Sequence, residues 1–285
     1  MSIKLIECPR DAMQGIKQFI PTELKAKYIN TLLKVGYHTI DFGSFVSPKA
    51  IPQMKDTSEL IKLIDLEGVK TKLLAIVANE RGAENAKNYE QINYLGYPFS
   101  ISETFQIRNT NATIEESLGR VYEIMNICLQ SNKEMVIYIS MGFGNPYGDP
   151  WNVEICQKWV DHLAEIGVKI IALSDTIGVA TPESISYLFK NLIPPYPDVE
   201  FGAHLHSQPH NWHEKIHAAY TNGCKRFDSA IKGLGGCPMA KDDLTGNMAT
   251  ENVIKYFKEQ NVVLGLDEEA FADALDISSQ VFSYQ

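Results

Sequence analysis

The chain has 285 residues, 45% of them hydrophobic and 21% charged, and a net charge of −9. This is enough for one α/β barrel, and the acidic balance argues against a nucleic-acid binder, which needs a basic stripe to neutralise phosphates. No apolar run approaches the roughly 18 residues of a membrane helix, and the five scattered cysteines (Cys8, Cys128, Cys156, Cys224, Cys237) contain no C-x-x-C pair, which reads as reduced and cytoplasmic rather than as a disulfide framework.

Apolar, β-branched runs alternate with longer amphipathic ones. The first strand spans Ile3–Cys8, so early that no leader segment is expected. It runs into Arg10-Asp11. A helix follows Thr22, with Leu24, Tyr28, Leu32 and Leu33 at helical spacing. Strands are predicted at Thr39–Phe45, with Asp41 late in it, and at Lys72–Ala78, before Asn79-Glu80-Arg81. A fourth covers Tyr97–Ile101 and leads to Ser102-Glu103. Thr113 and Glu116 form a capping box. Strand Met135–Met141 precedes Asp149-Pro150, which places proline at a first helical position. Strand Ile170–Ser174 leads to Asp175, and Thr181-Pro182 is a second proline start. Strand Phe201–His206, a helix at Asn211–Thr221 and strand Arg226–Ile231 come next. A glycine-bearing loop, Gly233–Thr245, holds Cys237 and precedes helices at Thr250–Glu259 and about Asp267 to Ser279.

Eight strands alternating with helices fit a (β/α)₈ TIM barrel, a single α/β catalytic domain over residues 1–285. No G-x-G-x-x-G follows the first strand, against a dinucleotide-binding sheet. A barrel demands active-site residues at the C-terminal ends of strands and in the loops after them. Arg10, Asp11, Asp41, Asp175, His204, His206, Cys237 and Asn247 all fall there.

His204 and His206 are two apart on a strand, so both imidazoles share one face and can reach one metal ion. A strand-end carboxylate such as Asp11 can join them, and an adjacent arginine can stabilise an oxyanion. With a side-chain amide this mixed N/O set suits octahedral Mg²⁺ or Mn²⁺ better than zinc. His210, His213 and His217 are expected on the following helix. Cys128, Cys156 and Cys224 sit in helical patterns as packing residues. Cys237, among glycines, is held on backbone that can move and can close over substrate.

Together these segments resemble the 3-hydroxy-3-methylglutaryl-CoA lyase family of metal-dependent barrels. The matching stretches include Pro9-Arg10-Asp11-Ala12-Met13-Gln14, Ser44-Phe45-Val46-Ser47-Pro48-Lys49, Asp175-Thr176-Ile177-Gly178, His204-Leu205-His206, Gly233-Leu234-Gly235-Gly236-Cys237-Pro238 and Gly246-Asn247-Met248-Ala249-Thr250-Glu251. The resemblance implies that Asp11, His204, His206 and Asn247 hold the divalent metal. It implies that Arg10 stabilises an enolate and that Cys237 is a mobile-loop acid. Asp41 stands where the family has a catalytic glutamate, and Asp175 and Glu251 match acidic residues beside the site. The expected reaction is retro-Claisen cleavage of an acyl-CoA thioester to acetyl-CoA and acetoacetate, with Asp11 or His204 as base, by a homodimer.

This chain departs from the family in a turn one residue shorter before Pro9 and a loop one residue longer between Cys237 and Asn247. Asp41 replaces a glutamate, and Ser207-Gln208 replace an acidic residue after His206. Competing readings are a lyase or aldolase on a related 3-hydroxyacyl-CoA or hydroxy acid, a Claisen-type condensing enzyme, and an inactive barrel kept for binding.

Overall fold

In the computed structural model, which describes residues 2–236 and 245–284, eight parallel strands close into a barrel in sequence order. They are β1 (Lys4–Glu7), β2 (Thr39–Ser44), β3 (Lys72–Ile76), β4 (Ile92–Ser100), β5 (Glu134–Ser140), β6 (Ile170–Ser174), β7 (Glu200–His204) and β8 (Arg226–Ser229). The helices are α1 (Pro9–Met13), α2 (Thr22–Val35), α3 (Thr57–Leu60), α4 (Glu80–Ala86), α5 (Glu103–Thr110), α6 (Ile114–Gln130), α7 (Val153–Ile166), α8 (Pro182–Leu192), α9 (Trp212–Thr221), α10 (Thr250–Glu259) and α11 (Glu268–Val281). The expected (β/α)₈ barrel is the fold. Among the described residues no helix is long and apolar enough to cross a membrane.

Period-two alternation builds the barrel's two faces. Leu74, Ile76, Val136, Tyr138, Ile170 and Ala172 form an interior cluster. Their neighbours Leu73, Ala75, Ile137, Ile139, Ile171 and Leu173 join the larger core with the helices. Both faces are buried and apolar, so these strands are continuous apolar runs, and the fit of side chains on each face, rather than burial alone, opposes a one-residue slip.

Local signals set the helix starts best. Thr113 and Glu116 make the capping box of α6, and Thr181 caps α8 with Pro182 at its first position. Several boundaries differ from the sequence reading. β4 begins at Ile92, not Tyr97, because pairing with β3 and β5 extends strand through Asn93 and Gly96 despite their low strand propensity. The helix expected at Pro150 begins at Val153, capped by Asn152, whose side chain accepts from Ile155 N. Asp149 instead accepts from Thr104 N and Thr104 Oγ1 at 3.0 and 2.9 Å, tying this loop to α5.

Candidate active site

Arg10 and Asp11 lie not in an open loop but on α1, a one-turn helix started by Pro9 and buried throughout. β7 stops at His204, so His206 lies beyond the strand rather than within it. A second contact replaces the strand there. The segment before α10 pairs with the chain after β7, through Met248 N to Leu205 O and Ser207 N to Gly246 O, which sets Asn247 opposite His206. Lys215 of α9 fixes the same turn. Its ammonium donates to His206 O at 2.8 Å and to Asp175 Oδ2 at 2.7 Å. Asp175 is thus committed to a buried ion pair that holds the His206 backbone.

One ligand atom each from Asp11, His204 and His206 lies within 4.8 Å of the others. Asn247 Nδ2 donates to Asp11 Oδ2 at 2.6 Å, bringing the fourth residue of the expected set to the cluster. Among the described residues His206 Nδ1 is buried with no hydrogen-bond partner, a lone-pair atom open to an electrophile. A carboxylate, two imidazoles and an adjacent amide are a fit donor set for a divalent cation. Burial, then repulsion from His204, pushes the His206 imidazole down to about 3, so its lone pair is free at neutral pH. Burial also works against charge on Asp11, but Arg10, His204, Asn247 and His206 outweigh it and hold that carboxyl below its ordinary range. Burial would lower His204, but Asp228 and then Asp11 overcome it and raise it.

Arg10 is clamped from two sides. Its Nε and Nη2 donate to Asp41 Oδ2 at 2.9 and 2.6 Å, and its Nη1 donates to Gln14 Oε1 at 2.8 Å and Asp11 Oδ1 at 3.2 Å. Gln14 closes the ring by donating to Asp11 Oδ1 at 2.6 Å. Burial pushes Asp41 up to about 6 although Arg10 pulls it down. Bidentate pairing pins the guanidinium plane, the geometry an oxyanion stabiliser needs.

Arg10, Asp11, Gln14, His204 and His206 line a cavity of about 440 Å³ at the C-terminal mouth of the barrel. Arg10, Asp11, His204 and His206 are on its β7–β8–β1 side. Val46, Ala50, Ile51, Ile76, Ala78 and Phe105 line it toward β2–β4, interspersed with the polar Ser44, Ser47, Asn79 and Arg108.

Cys237 lies outside the described residues. Just before it, Gly235 has φ +94°, and a Cβ there would meet Asn247 Nδ2 at 2.7 Å and Asp11 O at 2.8 Å. Glycine is required at this position for close packing as well as for backbone freedom. Glu251 accepts from Lys232 N at 3.0 Å, at the base of the same segment. Cys8, Cys128, Cys156 and Cys224 are buried free thiols. His213 and His217 are on α9, but His210 precedes it.

Sequence reasoning missed three contributors. Gln14 was part of a matching stretch but carried no role. Asp228 faces His204 from β8, its Oδ2 3.1 Å from Nδ1. Glu7, fully buried and pushed up to about 8 by burial, accepts from Ile231 N and Thr250 Oγ1 at 2.8 and 2.6 Å. It thereby grips both ends of the segment that carries Cys237. For Glu7 and Asp228 the available signal is a polar residue at an inward or strand-end position of an otherwise apolar strand.

A family model described as HMGL-like matches residues 3–277. The chain belongs to the HMGL-like family. Within this family, it is 32% identical to the cytoplasmic 3-hydroxy-3-methylglutaryl-CoA lyase of Rattus norvegicus over 278 residues, 96% of this chain and 79% of that one. It is 33% identical to the 3-hydroxy-3-isohexenylglutaryl-CoA/hydroxy-methylglutaryl-CoA lyase of Pseudomonas aeruginosa over 277 residues, 95% of this chain and 90% of that one. An HMG-CoA lyase from Acinetobacter baumannii, solved with coenzyme A and 3-methylmalate, has a TM-score of 0.91 at 28% identity, covering 99% of this chain and 92% of that one.

Proposed function

We propose that this member of the HMGL-like family is a carbon–carbon lyase that cleaves 3-hydroxy-3-methylglutaryl-CoA to acetyl-CoA and acetoacetate. The observation that carries the reading is the convergence of Asp11, His204 and His206 beside an Arg10 held by Asp41. Asp11, His204, His206 and Asn247 would hold Mg²⁺ or Mn²⁺, which when bound supplies Lewis-acid polarisation of the substrate's hydroxyl and carbonyl oxygens. Asp11 or His204 accepts the C3 hydroxyl proton. The C2–C3 bond then breaks, acetoacetate leaves, and the electron pair stays on the acetyl-CoA fragment as an enolate. Arg10 faces that oxyanion, with Asp41 and Gln14 preventing the guanidinium from swinging away. Cys237 returns a proton to C2. The same reading takes an acyl-CoA thioester as partner and a cytoplasmic homodimer as the working form.

A second reading is favoured by the apolar residues on the β2–β4 side of the cavity: cleavage of a related 3-hydroxyacyl-CoA bearing a larger group at C3. The name of the Pseudomonas aeruginosa relative agrees with it. Incubation with Mg²⁺ or Mn²⁺ and a panel of 3-hydroxy-3-alkylglutaryl-CoA thioesters, with detection of acetyl-CoA and the released oxo acid, tests both. Fastest turnover of the methyl substrate supports the first reading, preference for a larger alkyl group supports the second, and no cleavage of any member sinks both.

A further inference from the structure

β8 sends two charged side chains into the barrel, Arg226 and Asp228, two residues apart on one face. Asp228 is directly opposite His204 in the β7–β8 register, and its Oδ2 lies 3.1 Å from His204 Nδ1. Its side chain is fully buried, and Oδ1 has no hydrogen-bond partner among the described residues. Burying a carboxyl in a barrel interior is expensive. Among the described residues, the one hydrogen bond this carboxyl makes goes to His204.

The surroundings are built to keep it there. Arg226 crosses the inner face at Gly202, where a Cβ would meet its Cδ at 3.0 Å, and donates from Nη1 to Glu200 Oε1 at 3.2 Å. This brings a buried cation to the interior face that Asp228 shares. The Tyr138 ring packs edge-on against His204 with centroids 5.5 Å apart, limiting rotation of the imidazole.

We propose that Asp228 is a positioning residue: it accepts the Nδ1 proton of His204, and so leaves Nε2 as the lone-pair nitrogen that the Asp11–His206 cluster can use. This rests on reading that cluster as a cation site. There is a rival use of the same imidazole. Ligand atoms of Cys8, His204 and Asp228 also lie within 4.8 Å of one another, so Nδ1 could itself be a metal donor toward Cys8. The two assignments demand opposite tautomers.

Nitrogen-15 NMR of the histidines in the metal-free protein, with His204 assigned from a His204→Gln variant, should find His204 protonated at Nδ1. Mn²⁺ binding followed by electron paramagnetic resonance should weaken about 10–100-fold in Asp228→Ala, the usual effect of losing a carboxylate behind a liganding histidine. In Asp228→Asn the amide oxygen can still accept, so the tautomer should persist and affinity should lie nearer wild type. A wild-type His204 protonated at Nε2 would overturn the proposal, and that measurement needs no variant at position 228 to fold. So would Asp228→Ala with wild-type Mn²⁺ affinity, or Mn²⁺ affinity lost in Cys8→Ser but kept in Asp11→Asn. A wild-type protein that binds no Mn²⁺ would instead sink the cation-site reading, a result separate from any of these.

Discussion

Around the cavity, Arg10, Asp11, Gln14, Asp41 and Asn247 hold one another through hydrogen bonds of 2.6 to 3.2 Å. Val46, Ala50, Ile51 and Ile76, toward β2–β4, line the same cavity with apolar side chains. The polar side costs stability, since its charges are buried, and in return each group has one orientation before substrate arrives. These apolar side chains carry no buried charge and impose only shape. Reaction chemistry should therefore depend steeply on the first side, and substrate choice more gently on the second.

The hardest blow to the polar side is removal of its guanidinium. Arg10→Met should lower kcat about 10²–10³-fold, the usual loss for one oxyanion donor. Asn247 and Gln14 still hold Asp11 in that variant, so Mn²⁺ affinity should stay near wild type. Steady-state kinetics with direct Mn²⁺ titration checks this. A change confined to KM would make Arg10 a binding group only and erase the contrast between the sides.

The clamp itself should show in the pH profile. Asp41, pushed up to about 6 by burial, must be ionised to grip Arg10, so kcat should fall as pH drops below about 6. The sign for stability is opposite. A folded-state pKa above the unfolded one stabilises most below about 4, and that stability is lost as pH rises through 6. Activity and thermal stability should thus move in opposite directions across this window. Asp41→Asn should flatten both curves and cost about 10–150-fold in kcat at pH 7, the equivalent of losing a charge-assisted pair of about 1.5–3 kcal/mol. An unchanged acid limb in Asp41→Asn would assign the ionisation elsewhere.

The apolar side should respond least. Ile51→Ala should leave kcat for the methyl substrate within about twofold. It should raise kcat/KM for a larger 3-alkyl substrate relative to the methyl one by about tenfold, the low end of what one or two methylenes contribute in a pocket. Competition between the two thioesters measures that ratio directly. A large fall in kcat would show that this side also positions the reacting atoms.

Much of this contrast could be read in the sequence because its signals are local. The apolar runs of β3, β5 and β6, the capping box at Thr113, the proline start at Thr181-Pro182, and the spacing of His204 and His206 each lie within a few residues. The barrel rule then placed Arg10, Asp11, Asp41, His204, His206 and Asn247 at one mouth, where five of those six meet or contact the three-residue cluster directly and Asp41 joins through Arg10. The sequence by itself therefore determined the strand pattern, the barrel and most of the polar side, because periodicity and capping are properties of neighbouring residues.

What it could not determine depends on partners far apart in the chain. Asp149 reads as a helix start, yet it serves Ser102 and Thr104, 47 and 45 residues away. Asp175 reads as a member of the site, yet it is paired with Lys215, 40 residues on, to hold the His206 backbone. Asp228 has no motif at all and acquires its meaning only where β7 and β8 pair, 24 residues apart. In each case burial makes the carboxyl's energy depend on whichever donor the closed barrel brings beside it, and only the tertiary structure names that donor.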